Sequence, residues 1–211
     1  MAKIVADCLV RADLRGVDTH GINRMPSYIQ RLKAGVLNAI PALRLTQKSP
    51  VMASLDANNG FGFVAAYHAI DKAVTTAETF GIGIVGVKDK NHFGMAANYL
   101  LGAMEKGFAA MVFTNAGRSM PVWGSKEPLL GTSPFAVGLP GGETGATGFV
   151  LDMSPFVVAR VSGHYNTPLE TCKADQWRRV KYGKQHDVAK AFLKAGCWML
   201  TVTTPPIQWK R

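Results

Sequence analysis

His20 and Arg24 stand four residues apart in the stretch Asp18-Thr19-His20-Gly21-Ile22-Asn23-Arg24. On a helix that spacing puts an imidazole and a guanidinium on one face. Arg presents a planar, permanently charged fork that grips a carboxylate, and an imidazole exchanges protons near neutral pH. Together they could hold a 2-oxo acid by its carboxylate and protonate the alkoxide as the keto group is reduced. A plainer arrangement stays open, in which Asp18 or Thr19 caps a helix and Arg24 faces solvent.

A second imidazole, His92, lies in Lys90-Asn91-His92-Phe93-Gly94, between a β-branched run and a helical one. Ligands of open α/β sheets bind at the carboxyl ends of strands, which is where this order places it. A helix N-terminus just after it would disfavour the imidazolium and attract anions. A histidine that only caps that helix through a backbone contact fits the same residues. Three further polar segments flank apolar runs: Thr114 to Ser119, Gly131-Thr132-Ser133-Pro134, and Leu151-Asp152-Met153-Ser154. Each alone reads as a turn. Meeting at one edge of a sheet, they would form a pocket.

The elements that must carry these residues follow from hydrophobic period. Ile4, Val5, Cys8, Leu9 and Ala12 predict a helix from Ala2 to Leu14. A second helix is expected from Arg24 to Ala34, with Gly35 at its end and Met25, Tyr28, Ile29 and Leu32 as its buried stripe. Leu43, Leu45, Val51 and Leu55 suggest two short strands ending in a turn at Asp56 to Gly60. A long helix follows from Val64 to Phe80, with Ala65, Ala69, Ala73 and Ala77 along it. Strands are expected at Ile82 to Val87, Ala109 to Thr114, Phe135 to Leu139 and Gly148 to Asp152, with a helix from Gly94 to Lys106. Helices alternating with buried strands indicate an α/β domain. After Arg160 the pattern fades: Ser162 to Arg179 has no sustained period, Asp187 to Ala195 could form one helix and Trp198 to Val202 a short strand.

Several function classes lose support. The literal Gly-x-Gly-x-x-Gly at Gly81, Gly83 and Gly86 sits inside a strand rather than opening a helix, so it lacks the context of a dinucleotide fingerprint. There is no Gly-x-Ser-x-Gly, Walker A loop, His-Glu-x-x-His or Cys/His metal spacing, and no metal is expected. The formal charge of +10 is weighted to the tail, where nine cations after residue 160 face three carboxylates. No zinc-finger, RNP-type or basic-zipper pattern accompanies it, so no nucleic-acid partner is expected. Cys8, Cys172 and Cys197 are an odd set that reads as free thiols in a reducing compartment. No apolar run is long enough to span a membrane and no leader is evident, which makes the cytoplasm the expected location.

Taken in order, these segments resemble the malate/L-lactate dehydrogenase family, whose relatives include ureidoglycolate, sulfolactate and diketogulonate oxidoreductases. The matching pieces are Ala12 to Gly16, Thr19-His20-Gly21-Ile22-Asn23-Arg24, Asn91-His92-Phe93-Gly94, Thr114-Asn115, Gly131 to Pro134 and Leu151 to Ser154. They cover residues 1–160, and residues 161–211 do not match. The resemblance implies an α/β fold with a nicotinamide-binding mixed sheet unlike the Rossmann arrangement, a helical N-terminal segment, and an incomplete version of a longer chain. It implies a helical substrate and dimer segment at 1–50, a nicotinamide-binding part at 51–160 and a divergent tail at 161–211. It implies His20 and His92 as catalytic groups, Arg24 and Asn115 on the substrate, and Thr132, Gly148, Val150, Leu151, Asp152, Met153 and Ser154 on NAD or NADP. The expected reaction passes a hydride between NAD(P)H and a small 2-oxo or 2-hydroxy acid, in a homodimer. A catalytically inactive, truncated relative that folds partly or with a partner chain is the alternative. Ser133 departs from the family, which usually has Asn before Pro134, and Phe156 stands where a small Ser is common.

Overall fold

The computed structural model describes residues 1–118, 120–122, 127–141, 148–154 and 199–204, the last by backbone alone. Helix α1 spans Ala2–Leu14 and buries Cys8, Leu9 and Ala12, the face its period marks. Two short 3-10 turns, Asp18–His20 and Ile22–Arg24, lead into α2, Met25–Lys33. Tyr28 is its one fully buried side chain, while Ile29, expected inside, is 43% exposed. Met25 packs against the core and Leu32 is half-buried, so the inward face is the expected one, with Ile29 at its outer margin.

Strands β1, Arg44–Ser49, and β2, Met52–Gly60, form an antiparallel hairpin. The turn expected at Asp56 to Gly60 is instead the end of β2. Asn58 and Asn59 take left-handed φ values of 48° and 56°, and the register with the next strand slips there. Asn and Asp serve a bulge as readily as a turn, since both need that conformation. Helix α3, Gly62–Phe80, then crosses over to β3, Gly83–Lys90, which lies parallel to β2.

Helix α4, Ala97–Glu105, starts later than its period suggests, because Gly94 adopts φ +74° ahead of it. Strand β4, Ala109–Thr114, and β7, Phe135–Leu139, have the expected bounds. Between them a two-stranded hairpin is made by β5, Met120–Pro121, and β6, Pro128–Leu130. Strand β8, Phe149–Met153, ends the first run. The expected short strand near residue 200 is β9, Met199–Thr204, two residues longer at its end. The expected helix at 187–195 lies outside the described residues.

One seven-stranded mixed sheet results, in the order β1-β2-β3-β9-β4-β7-β8. Strand β9 is antiparallel to both neighbours: Val202 pairs with Ile84 on one side and Met111 on the other. The segment of weakest period thus supplies a central strand. These pairings make β2, β3, β4 and β8 run the same way, so Gly60, Lys90, Thr114 and Met153 end at one edge.

Helices α3 and α4 pack on one face of the sheet. The core between them holds Ala53 and Leu55 of β2, Val85 and Val87 of β3, Ala110 and Val112 of β4, and Ala136 of β7. Each fully buried valine or leucine contributes roughly 1.5–3 kcal/mol relative to exposure. The alanines 65, 69 and 73 along α3 are fully buried, and such small side chains let the helix lie close on the strands. Helix α1 and Tyr28 of α2 join the same core. No described helix is long and apolar enough to cross a membrane.

Candidate active site

The link between α1 and α2 is folded by a carboxylate. Asp13, near the end of α1, accepts the Ile22 N–H at 3.0 Å. Neither Asp18 nor Thr19 caps a helix by its side chain, and Gly21 breaks the run, so His20 and Arg24 sit on two separate 3-10 turns. They are nevertheless drawn together. The Arg24 Nε–H donates to the Thr19 carbonyl at 2.8 Å, and Thr19 Oγ1 lies 2.9 Å from His20 Nδ1. A cation is thereby anchored beside an imidazole by their shared turn.

His92 arrives from the other side, on the segment that leaves β3. Its carbonyl accepts the Gly62 N–H at 3.1 Å, and a Cβ at Gly62 would collide with the Asn91 and His92 carbonyls. Only glycine allows α3 to begin this close to the segment. On the far side the Tyr99 hydroxyl donates to the Phe93 carbonyl, and the two rings stack at 5.5 Å between centroids. Gly94 follows, with the Phe63 ring filling the space its side chain would need. The segment carrying His92 is thus pinned by the Gly62 N–H on one side and the Tyr99 hydroxyl on the other.

The two imidazoles stack, with centroids 5.6 Å apart and planes inclined by 23°. Tyr28 Oη lies 2.7 Å from His92 Nδ1. Sequence reasoning placed Tyr28 only in the core. A buried tyrosine needs a partner for its hydroxyl, and its spacing of four from Arg24 was the available signal. Arg31 Nη2 donates to Asn91 Oδ1 at 2.6 Å, and Asn91 Nδ2 reaches the Asn59 carbonyl at 2.9 Å and its Oδ1 at 2.8 Å. The β2 bulge is therefore the foot of a polar chain ending at the neighbour of His92.

Both imidazoles are held neutral. Burial pushes His20 down to about 4, and Arg24 adds to the shift. Burial likewise pushes His92 down to about 3, followed by the effects of His20, Arg24, Lys90 and Arg31. The helix dipole invoked for His92 has no part in this, since α4 starts five residues further on. Tyr28 is pushed up to about 12 by burial, against the pull of Arg24 and Arg31, so it stays a phenol. Lys90 is itself buried, its ammonium 4.8 Å from the centroid of the Phe93 ring.

Of the other candidates, Asn115, Thr132, Asp152, Met153 and Ser154 gather further along the same edge. Gly131 lies against the Ala116 carbonyl, which sets the Asn115 and Thr132 segments side by side. Thr114 N–H donates to the Pro134 carbonyl at 3.2 Å, and Ser154 Oγ donates to the Thr132 carbonyl at 2.9 Å. Asp152 accepts the Ala97 N–H at 2.7 Å, so its carboxylate caps α4. Burial raises its pKa against the two N–H groups of Ala97 and Ala96. Val150 packs into the core, and Gly148, which precedes β8, lies at the opposite edge of the sheet against Leu139 and Met104, away from the other candidates. Leu151 and Met153 take the opposite face of β8, paired with Val137 and Phe135. Among the described residues no group of three or more metal-ligating side chains occurs.

Nicotinamide dinucleotides need an apolar surface for a flat ring and polar groups for the carboxamide and phosphates. The β7/β8 face, with Leu151 and Met153 beside the Thr132–Ser154 contact, fits the ring end. The N-terminus of α4, where a pyrophosphate could sit, is already occupied by Asp152. The phosphates would have to be held elsewhere.

A family model described as malate/L-lactate dehydrogenase matches residues 1–200, which extends past Arg160. A malate dehydrogenase of Pyrococcus abyssi is 40% identical over 157 residues, 74% of this chain and 42% of its own length. An L-sulfolactate dehydrogenase of Methanocaldococcus jannaschii is 38% identical over 159 residues, 75% of this chain and 45% of its own. The solved malate dehydrogenase of Pyrococcus horikoshii superposes with a TM-score of 0.79 at 28% identity, covering 96% of this chain and 68% of that one. The chain thus spans less than half the length of these two curated relatives.

Proposed function

The chain belongs to the malate/L-lactate dehydrogenase family, and from that premise we propose that it carries the substrate side of an NAD(P)-dependent 2-hydroxyacid dehydrogenase. The observation that carries this reading is the meeting of His20, Arg24, Tyr28 and His92, whose segments lie up to 72 residues apart in sequence. Bound NAD(P)H would supply the hydride that reduces the 2-oxo carbon. Arg24 binds the substrate carboxylate, and the histidine pair exchanges the proton of the neighbouring oxygen.

The neutral pair suits both directions. With a hydroxy acid, an unprotonated imidazole nitrogen accepts the hydroxyl proton. With a 2-oxo acid, the incoming carboxylate neutralises Arg24, which depresses both histidines. Substrate binding therefore raises their proton affinity and draws in the proton the alkoxide will need. Stacked rings repel two positive charges, so the pair holds one proton at a time. The Tyr28 hydroxyl fixes the His92 ring and leaves its other nitrogen for substrate.

Asn115 on the substrate, and Thr132, Gly148, Leu151, Met153 and Ser154 on the cofactor, complete the proposal. Val150 and Asp152 act from behind, through the core and the α4 cap. A cytoplasmic homodimer is the proposed setting. The test begins with thermal unfolding in NADH or NADPH, where one of the two is expected to raise the midpoint. Cofactor oxidation with oxaloacetate or pyruvate should follow, and His92→Ala should slow it by about 10³-fold. No shift with either cofactor would favour an inactive relative, and unchanged turnover in His92→Ala would remove that residue from the reaction.

A further inference from the structure

The two imidazoles differ in what meets their Nδ1 atoms. Tyr28 is 4% exposed, and its hydroxyl lies 2.7 Å from His92 Nδ1. Among the described residues that is the one hydrogen bond the hydroxyl makes. Phe61 and Phe63 pack at right angles to the Tyr28 ring and offer no lone pair. Arg24 and Arg31, the cations that act on Tyr28, carry donors only. His20 Nδ1 instead faces Thr19 Oγ1 at 2.9 Å. That hydroxyl is half-exposed and can donate or accept.

A hydrogen count separates the two arrangements of the Tyr28–His92 contact. If Nδ1–H donated to the hydroxyl oxygen, the phenolic proton would be left buried without an acceptor. If the hydroxyl donates, both groups are satisfied, and the neutral ring must carry its proton on Nε2. A buried hydroxyl proton without a partner disfavours the first arrangement by roughly 10- to 100-fold. Tyr28 keeps that proton at neutral pH, since burial pushes its pKa up to about 12.

We propose that Tyr28 is a positioning residue that locks His92 as the Nε2–H tautomer, which makes the pair unequal: His92 donates a hydrogen bond to the substrate oxygen, and His20 exchanges the proton. This rests on the reading of the histidine pair given above. With Nε2 protonated and Nδ1 taken by Tyr28, His92 has no bare nitrogen to receive a proton. It acts as a neutral donor that stabilises charge developing on the C2 oxygen. His20, whose hydroxyl partner adapts to either tautomer, moves the proton. In oxidation the substrate O–H breaks and an N–H forms on His20, while the hydride goes to NAD(P)+. In reduction both transfers reverse.

The test reads the His92 tautomer in the full chain, free of ligands, by nitrogen–proton correlation NMR on isotope-labelled histidine at neutral pH. The His92 signals are those lost in His92→Gln. Wild type should show Nε2 protonated and Nδ1 bare. Tyr28→Phe keeps the ring and removes the donor, so it should weaken that preference by about fivefold or more, towards a mixture of tautomers. Nδ1–H in wild type, or protons on both nitrogens, overturns the proposal. An unchanged tautomer in Tyr28→Phe overturns it too, because another group then sets the ring. Turnover is the second readout. Glutamine donates a hydrogen bond but exchanges no proton, so His92→Gln should slow oxidation of a 2-hydroxy acid by about tenfold. His20→Gln should slow it by about 10³-fold. The reverse order would overturn the division between the two histidines. The expected tautomer in a wild type without turnover would sink the underlying reading and the division with it, whereas turnover with the other tautomer sinks the division alone.

Discussion

The polar groups on the two sides of β9 occupy one sheet edge but are held in different ways. On the β2–β3 side, functional side chains bond to one another: His20 stacks on His92, Tyr28 bonds His92, and Arg31 reaches Asn91 and through it Asn59. On the β4–β7–β8 side the candidates bond mainly to backbone, Ser154 to the Thr132 carbonyl and Asp152 to the start of α4. The side chains bonded to one another on the first side all come from residues 1–92. The second depends on β9, because β9 lies between β3 and β4 in the sheet. The histidine side is therefore built from the early part of the chain, while the β8 side leans on the distant strand β9.

The sharpest way to break that contrast is Val202→Pro. Position 202 has ladder partners on both sides, Ile84 and Met111, so proline removes an N–H from the middle of the sheet. Stability should fall by more than about 3 kcal/mol in urea unfolding. Amide protection should drop further in β4, β7 and β8 than in β2 and β3, which keep their own parallel pairing and α3. A loss under 1 kcal/mol would show that β9 does not join the halves.

Acid should act on the two sides with opposite sign. His20 and His92 have folded pKa values near 4 and 3, below the ordinary 6.5. The unfolded chain takes up their protons first, so their contribution is complete above pH 6.5 and is lost as pH falls towards 4. A decline on the order of 2 kcal/mol is expected, after allowance for partial solvent screening. Asp152 has a raised pKa, so the folded state binds its proton first and gains slightly over the lower part of that range. Midpoint temperatures from pH 7 to 4.5 should fall in the wild type and fall less in His20→Gln. A flat profile would contradict the burial of the pair.

Much of this fold is legible in the sequence where neighbours along the chain decide the outcome. Strands β4 and β7 and helix α1 fall where their periods put them, and residue type alone singles out His20, Arg24 and His92. Errors arise where one chemistry serves two geometries. Asn58 and Asn59 suit a turn, yet they make a bulge that carries β2 on to Gly60 and supports Asn91. The α4 N-terminus looks available to His92 or a phosphate, but Asp152, 55 residues away from Ala97, takes it. The place of β9 could not be read either, because periodicity marks a strand without naming its partners. Tyr28 was hidden by being apolar enough for a core.

The smallest expected effect tests the β7 side by improving it. Ser133 adopts φ +43°, a left-handed conformation that costs most L-residues about 1–2 kcal/mol and that Asn tolerates better through its own local hydrogen bonding. This is the position before Pro134 where the resembled family usually has Asn. Ser133→Asn should therefore stabilise the fold by about 0.5–1 kcal/mol, and Ser133→Val, which tolerates φ > 0 poorly, should destabilise it by at least as much. The residue is exposed and its side chain makes no hydrogen bond among the described residues, so the gain would come from the backbone alone. On the histidine side a matching exchange at Asn59 should behave oppositely: Asn59→Ser keeps the left-handed requirement but loses the Oδ1 contact to Asn91 and the Nδ2 bond to the Val36 carbonyl, so stability and site geometry fall together. Unfolding midpoints for the three variants decide the matter. A Ser133→Asn midpoint at or below wild type would show that this loop is held by something other than its local conformation, and would undo the distinction between backbone-held and side-chain-held halves.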